Sequence, residues 1–116
     1  MGFLFEKLEV YQRGVELAER AFKLVDELPR GQSAISDQLK RAAVSIPLNI
    51  AEGNGRWHRK ERRNFFFIAS GSVFECVPLL ELCRRRRWIE EEDHNILKRE
   101  LEVLAKMLSA LIKSGE

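Results

Sequence analysis

Apolar residues recur along this chain at the three- and four-residue steps of an α-helix, in four successive tracts. In the first, Leu4, Leu8, Tyr11, Val15, Ala18, Phe22 and Val25 form one row, with Val10, Gly14, Leu17, Ala21, Leu24 and Leu28 beside it. Two adjacent rows make a face wider than a two-stranded coiled coil needs, which suits a bundle and leaves surface for a neighbouring subunit. This pattern predicts a helix over about 5–28, ended by Pro29-Arg30-Gly31. A second helix, over about 34–53, starts at Ser33 or Ser36 as cap and places Leu39, Ala42, Ala43, Ile46 and Ile50 on one face. A third, over about 59–87, carries Phe65 to Ala69, Val73, Val77, Leu80 and Cys83, and a fourth, over about 90–113, has the row Leu97, Leu101, Leu104, Leu108 and Leu111. Ser114-Gly115-Glu116 reads as a frayed end.

Breaks in this pattern carry as much information as its rows. Pro47 removes the donor that the Ala43 carbonyl needs, so the second helix is either kinked there or broken, with Ser45 capping a short second piece. Because the apolar positions keep their phase on both sides of Pro47, a kinked continuous helix is the expectation. Pro78 should likewise kink the third helix or mark an irregular turn. Phe65, Phe66, Phe67 and Ile68 are consecutive and cannot all face one core, so one or two of the phenylalanines should meet another subunit, and Gly71 would let a helix approach closely. No alternating strand pattern, repeat or low-complexity tract interrupts the series, and the fold class is all-α.

The polar face of the second helix is unusual. Ordinary solvated faces are built from Lys and Glu, whereas this one carries Gln38, Arg41, Ser45, Asn49 and Glu52, residues suited to directed hydrogen bonds. It ends at Gly53-Asn54-Gly55, which reads as a turn tolerant of left-handed geometry. Arg41 and Glu52 are expected to pair across helices or subunits as a buried network that sets register, in preference to forming a surface binding site.

The stretch from Gln38 to Gly53 matches, position for position, the pattern Gln-x-x-Arg-Ala-Ala-x-Ser-Ile-x-x-Asn-Ile-Ala-Glu-Gly. It thereby resembles the four helix bundle proteins encoded within intervening sequences of bacterial large-subunit ribosomal RNA genes. Ile68-Ala69-Ser70-Gly71-Ser72-x-x-Glu75 is similar to a second motif of that family, and Leu8-Glu9-Val10-Tyr11-Gln12 to its aromatic–Gln pair. The resemblance spans nearly the whole chain. It implies an antiparallel up-down four-helix bundle that assembles into a cyclic homo-oligomer, commonly a homopentamer. A nucleic-acid role is suspected for the family, in part because distant relatives are accessory proteins of retroelements that diversify genes. His58 stands where relatives often have a capping Ser and Arg62 where they have an aromatic, which makes this chain more basic there.

Length and composition bound the possibilities. The 116 residues suffice for one domain with a single core, small enough to gain from oligomerisation. The amino terminus lacks a basic segment ahead of an apolar one, and no stretch reads as approaching the roughly 20 uncharged apolar residues of a membrane span. Cytoplasmic residence without a membrane partner is expected. Cys76 and Cys83 are seven residues apart, about 10 Å along a helix, too far to pair with each other, and read as core thiols. With no His or Asp clustered near them, no metal site and no cofactor are expected.

Net charge is +2, but its distribution is uneven. Residues 56–87 hold nine Lys/Arg against three Glu, an excess of +6 that leaves −4 for the rest. One cluster comprises Arg56, Arg59, Lys60, Arg62 and Arg63 beside Trp57 and His58; the other is Arg84, Arg85, Arg86 and Arg87, followed by Trp88. Arginine beside an aromatic suits phosphates and exposed bases, and repetition around a ring would raise the local potential. For Arg84 to Arg87 an alternative stands: cations at the negative end of a helix dipole, paired with Glu90-Glu91-Glu92-Asp93 or with another helix. On one continuous helix the clusters would lie about 35–40 Å apart and not form one groove.

Catalysis finds little support. Arg87 and His94 have a spacing resembling the Arg/His motif of some helical-bundle ribonucleases, but the rest of the chain does not resemble them. No Ser/His/Asp set, carboxylate pair or metal spacing is present, and Gly53-Asn54-Gly55 ends a helix instead of opening one after a strand. The expectation is a non-enzymatic ring-forming bundle that binds RNA or DNA near Arg56 to Arg63, with no small-molecule substrate. Gln38, Arg41, Ser45, Asn49, Glu52, Gly53 and Glu75 would serve assembly. The alternative is a protein-interaction scaffold whose motif serves only the oligomer.

Overall fold

The computed structural model describes residues 2–114, and Gly115 and Glu116, expected to fray, lie outside the described residues. Four helices follow in order: α1 (Glu9–Asp26), α2 (Ser33–Asn54), α3 (Arg59–Arg85) and α4 (Glu91–Ser114). Among the described residues there is no strand. Each helix packs on the next, α1 closes against α4, and no contact joins the diagonal pairs of described residues, so the section is that of a four-helix bundle. The molecule measures 43 × 28 × 22 Å.

The apolar rows become the core. Leu17, Leu39, Ile46, Ile50, Val73, Leu101, Leu104 and Leu108 are almost wholly buried, as are the unpaired thiols Cys76 and Cys83. Burial pushes the Cys76 thiol up to about 12, with the Glu75 carboxylate adding to the shift, and raises that of Cys83 as well. Leu111, the end of the α4 row, is half-buried. Arg13 ties α1 to α4, 2.8 Å from Glu9 on its own helix and 3.7 Å from Glu100 across the groove.

Helix α1 starts later than its pattern suggests. Leu4–Lys7 form a separate 3-10 turn, and Leu8 between the two is extended, at ψ 129°. The side chain of Gln12 donates to the Glu6 carbonyl at 2.9 Å, and Phe5 packs edge-on against Tyr11 at 5.0 Å, which holds the turn against α1. Leu4 is therefore solvent-exposed and drops out of its row. The second helix begins at Ser33 after Gln32, and neither Ser33 nor Ser36 acts as its cap.

Helix α2 runs unbroken through Pro47, which removes the reading of two short helices with Ser45 as a cap. Helix α3 likewise continues through Pro78. Gly53 corrects the sequence reading. It lies inside α2, not in a left-handed turn, and the helix closes at Gly55 with an ordinary right-handed φ of −82°. A Cβ at Gly53 would lie 2.8 Å from Cε1 of the buried Phe66 ring and 3.0 Å from Cβ of Phe65. Absence of a side chain there, not backbone freedom, lets α3 close onto the end of α2. Among the described residues, the positions that do take left-handed φ are Gly31 at 89° and, unexpectedly, Arg87 at 62°.

Another correction concerns membrane-like composition. By length and composition α3 is apolar enough to cross a bilayer, contrary to the expectation that no stretch comes close. Between Arg63 and Glu81 its only charge is Glu75. One side of it, including Phe66, Ala69, Val73, Cys76 and Leu80, fills the bundle core. Opposite these, Phe67, Ile68, Phe74 and Leu82 remain exposed, with the open Gly71 among them.

Candidate nucleic-acid interface

The connection 55–58 is held by the two helices it joins. The Arg62 guanidinium donates to the carbonyls of Trp57 at 2.9 Å and Arg56 at 3.3 Å. Arg56 pairs with Glu52 at 2.7 Å and lies over the Phe65 ring, 4.9 Å from its centroid. These contacts fix a short loop that projects the Trp57 indole into solvent with 90% of its surface exposed. His58 precedes the first residue of α3 in extended conformation and makes no side-chain cap, as its substitution for the family's Ser implies. Arg59, Lys60 and Arg63 follow and make no ion pair among the described residues. The cluster thus divides: Arg56 and Arg62 shape the loop, while Arg59 and Lys60 are exposed and Arg63, half-buried with its Nε shielded from solvent, makes no ion pair.

At the far end of α3 the second cluster behaves differently. Glu81 accepts from Arg84 Nη2 at 2.6 Å and from Arg85 Nε at 2.9 Å, and Arg84 also lies 3.6 Å from Glu91. These two arginines hold the Glu81 carboxyl down at about 2, well below the usual range. Arg86 lies over the Trp88 ring, 5.5 Å from its centroid. Arg84 and Arg85 are therefore engaged within the joint between α3 and α4, in keeping with the paired helix-end alternative. At about 1.5 Å per residue, α3 puts the two clusters roughly 40 Å apart.

The motif residues sort in a way that the sequence pattern does not show. Arg41 and Glu52 form no buried pair within the chain: Arg41 is exposed and Glu52 faces Arg56. The polar link between helices is Ser72 to Ser45, Oγ to Oγ at 2.8 Å, with Asn49 Nδ2 donating to Ser45 Oγ at 2.9 Å and to its carbonyl at 2.8 Å. Ser72, part of the second motif, is a site residue that sequence reasoning misses. Its spacing of three from Glu75 puts both on the face toward α2, which was the available signal. Gln38 reaches Glu75 with a long 3.5 Å contact, and Arg41 lines the same shallow groove. Two separated motifs therefore converge on one α2–α3 seam.

The Arg87–His94 pair does not make one site. His94 is buried with its Nε2 3.6 Å from Glu81 and no partner for Nδ1, whereas Arg87 lines a cleft of which His94 is not part. Among the described residues no group of three or more His, Cys, Asp or Glu could hold a metal.

Residues 6–110 match the family model described as 23S rRNA-intervening sequence protein. No curated protein matches the chain. Among solved structures, the chain is similar to a protein of unknown function from the S23 ribosomal protein family of Bacteroides thetaiotaomicron. The two are 28% identical, the match covers 90% of this chain and 98% of that one, and the TM-score is 0.84. With the bundle, the motif seam and this match over nearly its whole length, the chain belongs to the 23S rRNA-intervening sequence protein family.

Proposed function

We propose that this chain is a non-enzymatic, ring-forming helical bundle that binds RNA or DNA through the surface from Trp57 to Arg63. One observation carries the reading: an indole exposed over 90% of its area, on a loop clamped by Arg62, beside the unpaired cations Arg59, Lys60 and Arg63. Leaving a tryptophan in water forfeits the gain of burying a large apolar side chain. A base stacking on it would recover that gain, worth about 1–3 kcal/mol, while the cations take the phosphates. The family's description favours a ribosomal RNA partner. Five subunits, as the resemblance implies, and residence in the cytoplasm, expected from the sequence, belong to the same reading.

Two exposed apolar faces support the ring. One lies on α1 and α2 around Val15, Phe22 and Leu48; the other is the outer side of α3, with Phe67, Phe74 and Leu82. They are different surfaces, and a contact of one with the other is heterologous, the kind that closes into a cycle when its rotation divides a full turn. The same faces favour the second reading, a scaffold for other proteins.

The deciding experiment titrates nuclease-treated protein with labelled structured RNA and duplex DNA across a salt series, with mass by light scattering on the same sample. Binding should weaken as salt rises, with a slope that reports the number of phosphate contacts. Reversing charge at Arg59, Lys60 and Arg63 together should abolish binding and leave the mass unchanged. No binding near about 50 mM salt, where phosphate contacts are strong, by an intact oligomer would leave the scaffold reading.

A further inference from the structure

At the other end of the bundle a cleft of about 360 Å³ opens between the carboxyl-terminal half of α1, the connection 86–90 and the first turns of α4. Its size is that of a small-ligand site. The floor is apolar: Leu24 and Leu97 are buried, and Trp88 and Ile89 are half-buried. Its rim carries cations and carboxylates in equal number, Arg20, Lys23 and Arg87 against Glu27, Glu90 and Asp93. Arg20 has a partner in Glu16 at 3.4 Å, but the other five make no ion pair among the described residues. Such a rim is not a general phosphate surface. It suits a molecule that carries both an anion and hydrogen-bond donors.

Arg87 strengthens the case. It ends α3 at φ 62°, with the Trp88 amide donating to the Cys83 carbonyl at 2.9 Å, the position where helices ordinarily place Gly. A side chain there costs about 1 kcal/mol that Gly would avoid. A cation at the end of α3 has some favourable interaction with the helix dipole, which Lys or Arg at an unstrained neighbouring position would equally supply; at this position the cleft also gains a guanidinium next to Trp88.

We propose that this cleft takes a guanine nucleotide, with the base against Trp88, its N1–H and exocyclic amine donating to the rim carboxylates, and the phosphate held by Arg87 and Lys23. Guanine presents two adjacent donors that one carboxylate can accept together; uracil presents a single N–H between two carbonyls. The nucleotide is either free or a base extruded from the bound strand. The second form rests on the nucleic-acid reading above and makes the cleft the place where that strand is read.

The test uses the full chain with Trp57→Phe, which leaves Trp88 as the sole tryptophan. Titration with 5′-GMP should quench its fluorescence saturably, and 5′-UMP should need at least about tenfold more, the factor that a lost bidentate contact of about 1–3 kcal/mol implies. Arg87→Gly, which relieves the left-handed turn and so keeps the fold, should weaken GMP about tenfold, as loss of a charged hydrogen bond does. Glu27→Gln, Glu90→Gln and Asp93→Asn together should erase the preference for GMP over UMP. Equal response to both nucleotides, no response, or an unchanged Arg87→Gly protein would overturn the proposal, as would quenching by a zwitterionic dipeptide in place of GMP. If nucleotides fail while RNA still binds through Arg59, Lys60 and Arg63, only the cleft is lost. If GMP binds but RNA does not bind even the native chain, with Trp57 in place, the interface fails and the free nucleotide stands as the ligand.

Discussion

Gly53 shows how one residue can be marked for the right importance and the wrong reason. A Gly-Asn-Gly string after a helical pattern reads as a left-handed stop, yet the backbone stays right-handed and the constraint is the Phe66 ring. Substitution by Ala should help the helix by about 0.8–1.0 kcal/mol, while forcing a buried ring aside costs about 1–3 kcal/mol. The net expectation for Gly53→Ala is a loss of about 1 kcal/mol, read as a lower urea midpoint with unchanged slope. Phe66→Leu in the same background should return part of it. An unaffected midpoint would mean that the ring moves freely. Arg56, Arg62, Arg59, Lys60 and Arg63 teach a related lesson. In sequence they are one basic run, and only the Glu52 pair, the Phe65 ring and the backbone carbonyls reveal which cations are spent on the loop. Residue types were legible; their partners, set by three-dimensional proximity, were not.

Elements were far more legible than partners. All four helices lie where apolar periodicity puts them, because burial of one face decides a helix in a bundle. Their ends departed where local contacts compete: Leu8 turns extended ahead of α1, and Arg87 takes the left-handed turn after α3. The joint between α3 and α4 also yields a prediction. Glu81 has its carboxyl at about 2 in the fold against an ordinary 4.5, because Arg84 and Arg85 donate to it. A depressed carboxyl stabilises the fold above its unfolded value and loses that contribution as pH falls toward its folded one. Stability of the native chain relative to Glu81→Gln should therefore shrink as pH descends from about 4.5 to about 2 and level off on either side. Chemical denaturation of both proteins across that window measures it, and a difference independent of pH would show that the two arginines do not hold the carboxylate.

On the scale of the whole molecule, a bundle this small keeps Phe74 64%, Leu48 59% and Phe67 54% exposed. Sequence pattern alone anticipated spare apolar surface on the first and third helices, from a doubled row and from four consecutive bulky residues. It could not show which of these residues stay exposed once the bundle has formed, or that Leu48 of the second helix joins those of the first. If the outer side of α3 in one copy meets the α1–α2 face of the next, every interface contains one of each. Phe74→Glu alone, or Leu48→Glu alone, then disrupts all interfaces and leaves protomers in light scattering, with a melting temperature lowered by the lost association. Mixing the two variants is more telling. Phe74→Glu keeps a sound α1–α2 face and Leu48→Glu keeps a sound α3 face, so an equimolar mixture should form one native interface per pair and stop at the heterodimer. A two-fold interface that uses both faces would instead carry a glutamate in every pairing, and one that uses a single face would leave the variant altered on the other face dimeric by itself. Rings that survive either substitution would place the contact elsewhere, and the α3 face would then be free for a partner other than this chain.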